Sequence, residues 1–144
     1  MLDTFFLAAQ GVQLVGLLAL FALPLIGRRR AVFIARAAAG MLSVGYLLFF
    51  LPHSAAIPRD MGYSLDAIAG AFSTRELLLA GWIHYLVLDL FACSWEAEDA
   101  ERSGVGFGAL ALCMFVTAMV APLGLLLYFV VARMARRRPS APRR

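Results

Sequence analysis

The chain has no lysine; all thirteen of its basic residues are arginine. Charged residues make up only 15% of its 144 positions, where soluble domains carry roughly a quarter. Cysteine is nearly absent as well, and Cys93 and Cys113 both stand inside apolar runs. Two isolated thiols exclude a disulfide-stapled secreted scaffold, and they read as packing residues. The two histidines, His53 and His84, have no His-x-x-His or Glu-x-x-His spacing, so neither a metal centre nor any other cofactor is expected. Long polar stretches are missing too: once the apolar runs are removed, no water-soluble domain remains.

What is there is hydrocarbon. The chain is 62% hydrophobic, with a mean hydropathy of +0.83. The expected fold class is an all-α membrane protein, a four-span helical bundle forming one domain over 1–132. The spans fall at about 5–27, 33–52, 75–95 and 105–132, each near the ~20 residues that cross a bilayer. Residues 133–144 read as an arginine-rich disordered tail. In the second span Ala37, Ala38 and Gly40 suit close helix approach. "SLDAIAGAF" (64–72) is too short to cross and reads as a short interfacial helix. Ser73 or Thr74 is the expected cap of the third span, and Pro122 is expected to kink the fourth.

Orientation divides the signals. Four spans place both termini on one side. That side would hold six tail arginines with Arg59 and Arg75, against Arg28, Arg29, Arg30, Arg36 and Arg102 opposite. The count favours cytoplasmic termini, whereas the first span, followed by "GRRR", points the other way. The basic tail suits anionic lipid better than nucleic acid, so no nucleic-acid partner is expected.

The third span holds the chemistry. "GWIHYLVLDLFACSW" (81–95) carries a histidine, a tyrosine and an aspartate within six positions. An ionised side chain at mid-membrane costs about 2.5–3.5 kcal/mol on insertion scales. With His84 at zero on a wheel of about 100° per residue, Asp99 falls at about 60°, Tyr85 at about 100°, Glu96 at about 120°, Asp89 at about 140° and Trp82 at about 160°. The polar groups share one half of the helix, the half turned to protein or a cavity. His84 and Asp89 are not a direct pair, since about 140° and about 7.5 Å of rise separate them. Tyr85 is an i, i+4 neighbour of Asp89 and is expected to bond to it. Only Asp89 reads as deep.

The block Gly81-Trp82-x-His84-Tyr85-x-x-x-Asp89-Leu90-Phe91, then Trp95, the acidic turn at Asp99, and Pro122-x-Gly124-x-x-x-Tyr128 resemble the abscisic-acid-deficient-four-like family of small four-span membrane proteins. Plant members of that family are required for making neoxanthin from violaxanthin, an isomerisation in which an epoxide opens as a neighbouring proton is lost. The arginine-only basic set and the lack of a transit peptide suggest a bacterial member, in the plasma membrane. The resemblance implies an isomerase-like enzyme on a carotenoid or other isoprenoid, with His84 and Asp89 as acid and base and Tyr85 beside them. Trp82, Trp95, Glu96, Asp99, Gly124 and Tyr128 form the expected substrate-binding set, although Trp95 suits an interfacial belt better, Trp82 suits it equally, and Gly124 suits backbone shape better than chemistry. A non-catalytic carotenoid carrier or accessory protein is the alternative reading. In a third, the polar face closes a homo-oligomer.

Overall fold

The computed structural model describes residues 1–57 and 64–137. Every element among the described residues is helical: α1 (Leu2–Phe21), α2 (Leu23–Ile26), α3 (Arg28–His53) with a 3-10 turn at Ser54–Ala56, α4 (Leu65–Ala71), α5 (Arg75–Ser103), α6 (Phe107–Met119) and α7 (Ala121–Arg136). Three of them, α1, α3 and α5, are long and apolar enough to cross a membrane. Their outward faces are leucine, valine and phenylalanine, left exposed because the solvent they meet is hydrocarbon. The protein is membrane-embedded.

The three long helices alternate in direction. Arg75 pairs with Asp3 at 2.7 Å, joining the start of α5 to the start of α1. At the other end Arg28 donates to the Ala97 carbonyl at 2.5 Å, and Arg36 grips Glu98 through both guanidinium nitrogens at 3.0 and 2.6 Å. The α1–α3–α5 contact is built from small residues. Ala31, Ala35, Ala38 and Ala39 of α3 are buried, and Gly16 of α1 leaves room for Leu90 and Ala38. The face chosen differs from the expected one, since Ala37 and Gly40 point outward. Two further details differ as well. Ser64 caps α4, accepting from the Ala67 amide at 3.3 Å, whereas Thr74 starts α5 without a side-chain cap bond. Helix α5 also runs about two turns past the expected limit at 95.

The expected fourth span at 105–132 is not one helix. After α5, Gly104 takes a left-handed φ of 70°, which closes the helix with a bond from the Val105 amide to the Ala100 carbonyl at 3.0 Å. Helix α6 then runs back along α5 until Val120, whose extended backbone ends it. From there the chain reverses. Tyr85, about 27 Å along α5 from Ser103, donates to the carbonyl of Met119 at 3.3 Å. By contrast Arg136, at the far end of α7, bonds Ser103 at 2.7 Å and Asp99 at 3.1 Å. Helices α6 and α7 therefore form an antiparallel hairpin that starts and finishes beside the end of α5.

Pro122 does not kink a helix interior; it stands in the first turn of α7, where its missing N–H leaves nothing unpaired. The Leu123 and Gly124 amides both bond the Val120 carbonyl, at 3.0 and 3.1 Å. At Gly124 the two arms come closest: a Cβ there would run into the backbone of Thr117. The expected tail is also partly helix, because α7 continues to Arg136; residues 138–144 lie outside the described residues. The described chain thus begins at one end of the bundle and finishes at the other.

Gly124→Ala is expected to destabilise the protein by about 1–3 kcal/mol, the range for an added methyl in a packed contact. Gly11→Ala, which meets open space, is expected to leave the melting temperature in detergent unchanged. Equal melting curves for the two variants would contradict the hairpin contact.

Candidate functional site

One stripe of α5 faces the hairpin, and it is polar. Tyr85, Asp89, Cys93, Glu96, Asp99 and Ser103 recur at steps of three and four, which keeps them on one side of the helix. Their partners come from α6 and α7. The Cys93 thiol lies 3.5 Å from the Met114 carbonyl. Glu96 accepts from the Thr117 hydroxyl at 2.6 Å. Asp99 accepts from Tyr128 at 2.8 Å, from Ser103 at 2.5 Å and from Arg136. Trp95 packs edge-on against Tyr128 and Phe129, with ring centres 5.5 and 5.8 Å apart.

Several of the expected binding residues take part in these contacts. Tyr128 is fully buried, with its hydroxyl committed to Asp99, and Gly124 is filled by Thr117. Asp99, Trp95 and Tyr128 join the hairpin to α5, and Gly124 brings its two arms together. Thr117 and Arg136 belong to the same fastening, and sequence reasoning missed both. The signal for Thr117 was available, as a hydroxyl in an otherwise apolar run opposite an acidic turn.

Two carboxyls stand apart from this pattern. Asp89 is 1% exposed, and neither of its oxygens has a hydrogen-bond partner among the described residues. The Tyr85 hydroxyl donates to Met119, and its expected partner Asp89 lies close enough to interact with it but without a bond of ordinary length. Glu96 is 0% exposed, with one oxygen on Thr117 and the other unpartnered. Glu96 is thus as inaccessible as Asp89, although its place near an acidic turn made it read as shallow. The two lie seven residues apart, on one face and about 10 Å apart along the axis.

His84 belongs elsewhere. It is exposed on the other side of α5, its ring 5.8 Å from that of Tyr46 on α3. Together with Phe50, Ile57, Phe72, Leu77, Ala80 and Gly81 it lines a mostly apolar cavity of about 250 Å³. Gly81 lets the Phe72 ring pack directly against α5 at the cavity wall, because a Cβ there would strike that ring. Asp89 does not line this cavity. His84 and Asp89 are therefore on different faces, and the fold does not bring them together around one space. Trp82, 39% exposed, turns toward α1, where it lies 5.8 Å from Phe6. Among the described residues no group of three metal-ligating side chains converges.

A family model described as ABA DEFICIENT 4-like matches residues 4–128, and the chain belongs to that family. The match takes in most of the first helix and the α5–hairpin seam as far as Tyr128, well beyond the second-half motifs that first suggested it. No curated protein matches the chain, and no solved structure does.

The seam makes a prediction about stability. Asp89→Leu is expected to leave the melting temperature unchanged or raised, since no hydrogen bond is lost and a costly buried group is removed. Thr117→Val strands the Glu96 carboxyl and is expected to cost about 1–3 kcal/mol. A fall of that size with Asp89→Leu would mean that this carboxyl holds the bundle together.

Proposed function

We propose that this member of the ABA DEFICIENT 4-like family receives a carotenoid or another isoprenoid, seating one end group in the cavity beside His84. The cavity itself carries the reading: about 250 Å³, walled by aromatic and aliphatic side chains, with an imidazole at its edge. Such a space suits one substituted ring and its first methyl groups. The rest of a long polyene would lie along the exposed leucines and phenylalanines, in the direction of the hydrocarbon, whose thickness of roughly 30 Å it matches. The imidazole can donate to or accept from an oxygen on the ring, which selects an oxygenated end group over a bare hydrocarbon.

Isomerase chemistry is the second reading, and the unpartnered carboxyl of Asp89 is what favours it. A carboxyl kept buried without a bond in the resting fold is the kind of group that serves a step rather than a structure. His84 would act at the ring, as acid or base. Asp89 stands about 7.5 Å further along the axis, beneath the hairpin tip. Its use would require the tip at Met119 and Val120 to move aside, a gating step that ligand binding alone does not need.

We further propose three spans, α1, α3 and α5, with the α6–α7 hairpin re-entering from one side. Arg28, Arg29, Arg30, Arg36, Arg102, Arg133, Arg136 and Arg137 then share one end of the bundle, against Arg75 among the described residues at the other. This arrangement supports placing the arginine end in the cytoplasm, and the start of the chain outside. It also reconciles the two orientation signals, because the count and the first span now agree.

Two measurements test these readings. The protein is purified in mild detergent after expression with a carotenoid pathway, and bound pigment is read by absorbance and chromatography. Wild type is expected to retain one dominant oxygenated pigment, and Ala80→Phe, which fills the cavity, to lose it. Equal retention by both proteins would sink the binding site. Conversion of that pigment to a same-mass isomer, abolished by Asp89→Asn with binding intact, would establish the enzyme reading. For topology, Asp66→Cys and Arg137→Cys are made without Cys93 and Cys113 and treated in intact cells with an impermeant maleimide. Labelling is expected at 66 and not at 137. Four complete spans would give both positions the same result.

A further inference from the structure

The arginine end of the bundle has more cations than it can match. Its acidic side chains are already engaged: Glu98 with Arg36, Glu101 with Arg28, Asp99 with Arg136, and Glu96 buried against Thr117. Among the described residues, Arg133 and Arg137 have no ion-pair partner. They stand four apart at the end of α7, which Arg137 closes with helical φ and ψ, so their charges fall on one side and repel each other. The C-terminal dipole of the helix favours a cation there. It does not account for three guanidiniums within five residues.

The three share a recess of about 490 Å³ with Trp95, Phe129 and Ala132. Its base is apolar, with the Trp95 and Phe129 rings packed edge to face, and its rim is cationic. Asp99 also lines it, but that carboxylate is taken up by Tyr128, Ser103 and Arg136. An anion over an apolar base, at the end of a membrane helix, is the shape of a phospholipid's upper part.

We propose that this recess binds the headgroup of an anionic phospholipid. Arg133 and Arg137 hold the phosphate, and the first acyl carbons lie on Phe129 and Trp95. Guanidinium suits the task, since its planar fork meets two phosphate oxygens at once. A lipid held there would also cancel the repulsion within α7 and secure the open end of the hairpin. The inference does not depend on what occupies the His84 cavity.

The full chain is purified in detergent and given phosphatidylglycerol or phosphatidylcholine of identical chains, and bound lipid is read by native mass spectrometry. Wild type is expected to prefer phosphatidylglycerol. Arg133→Gln with Arg137→Gln is expected to weaken that preference roughly fivefold per guanidinium removed. Arg29→Gln with Arg30→Gln, at the same end but away from the recess, is expected to leave it intact. Arg133→Lys with Arg137→Lys keeps the charge and secures folding, and partial retention there attributes the rest of the effect to the fork. Equal loss in the two glutamine doubles would mean diffuse surface charge and would overturn the site. Full displacement of lipid by excess inorganic phosphate would assign the recess to free phosphate instead, and so overturn the lipid assignment.

Discussion

A break in a helix at the depth of a membrane exposes amide and carbonyl groups that hydrocarbon cannot satisfy, and each one left alone costs several kcal/mol. The reversal at Val120 creates such a break, and the polar stripe of α5 is arranged around it. Tyr85 covers the Met119 carbonyl at the tip, Cys93 approaches the Met114 carbonyl, and Glu96 holds Thr117 just before the turn. Proline in the first turn of α7 removes one donor that would otherwise need a partner. At the open end Asp99 gathers Tyr128, Ser103 and Arg136 into one cluster. The hairpin is tolerable because α5 brings its own polar surface to meet it.

This explains why polar residues are dense on α5 without requiring that all of them do chemistry. Once each is assigned its partner, Asp89 remains, together with one oxygen of Glu96. A buried carboxyl that makes no bond contributes nothing to the fastening and is a cost to the fold. On another face His84 stands over its own apolar cavity, where the absence of a side chain at Gly81 lets the Phe72 ring pack close. The Gly-Trp-x-His-Tyr-x-x-x-Asp block is contiguous in sequence but divided in space.

Hydropathy revealed the helical class and the first three spans, because each is one unbroken apolar run of membrane length. The same measure concealed the hairpin. Residues 105–132 are apolar throughout, and a window that averages hydropathy cannot tell one helix from two half-length helices lying side by side. Two clues stood in the sequence. Pro122 sits close to the middle of the run, where a helix start is as good an explanation as a kink. The arginine count and the first-span signal disagreed under four crossings, and the three-span arrangement proposed above removes that disagreement. Tyr128, Gly124 and Asp99 could not be assigned from the sequence, because their role depends on α7 turning back, and spacing along a chain does not report reversal. The wheel did place Tyr85, Asp89, Glu96 and Asp99 on the inward half, but it grouped with them His84, which is exposed on another face. It could not say which of them would find partners, since those partners come from α6 and α7.

The division of the motif bears on how any reaction could proceed. Acid and base on one face of a rigid helix can act together on a ligand that enters between two helices. Here one group opens toward α3 and α4, and the other toward a hairpin fixed at both ends, by Tyr85 at its tip and Asp99 at its base. The tip is the weaker of the two fixings. Beyond the Thr117–Glu96 bond, a single 3.3 Å bond from Tyr85 covers the last turn of α6, whereas Tyr128 and Arg136 both fasten the base to Asp99, Arg136 with a second bond to Ser103. If the hairpin moves, it moves by swinging its tip about the Asp99 cluster, and the group first uncovered is the stretch of α5 around Tyr85 and Asp89. The carboxyl of Asp89, which has no hydrogen-bond partner among the described residues, lies on the stretch that such a swing would uncover.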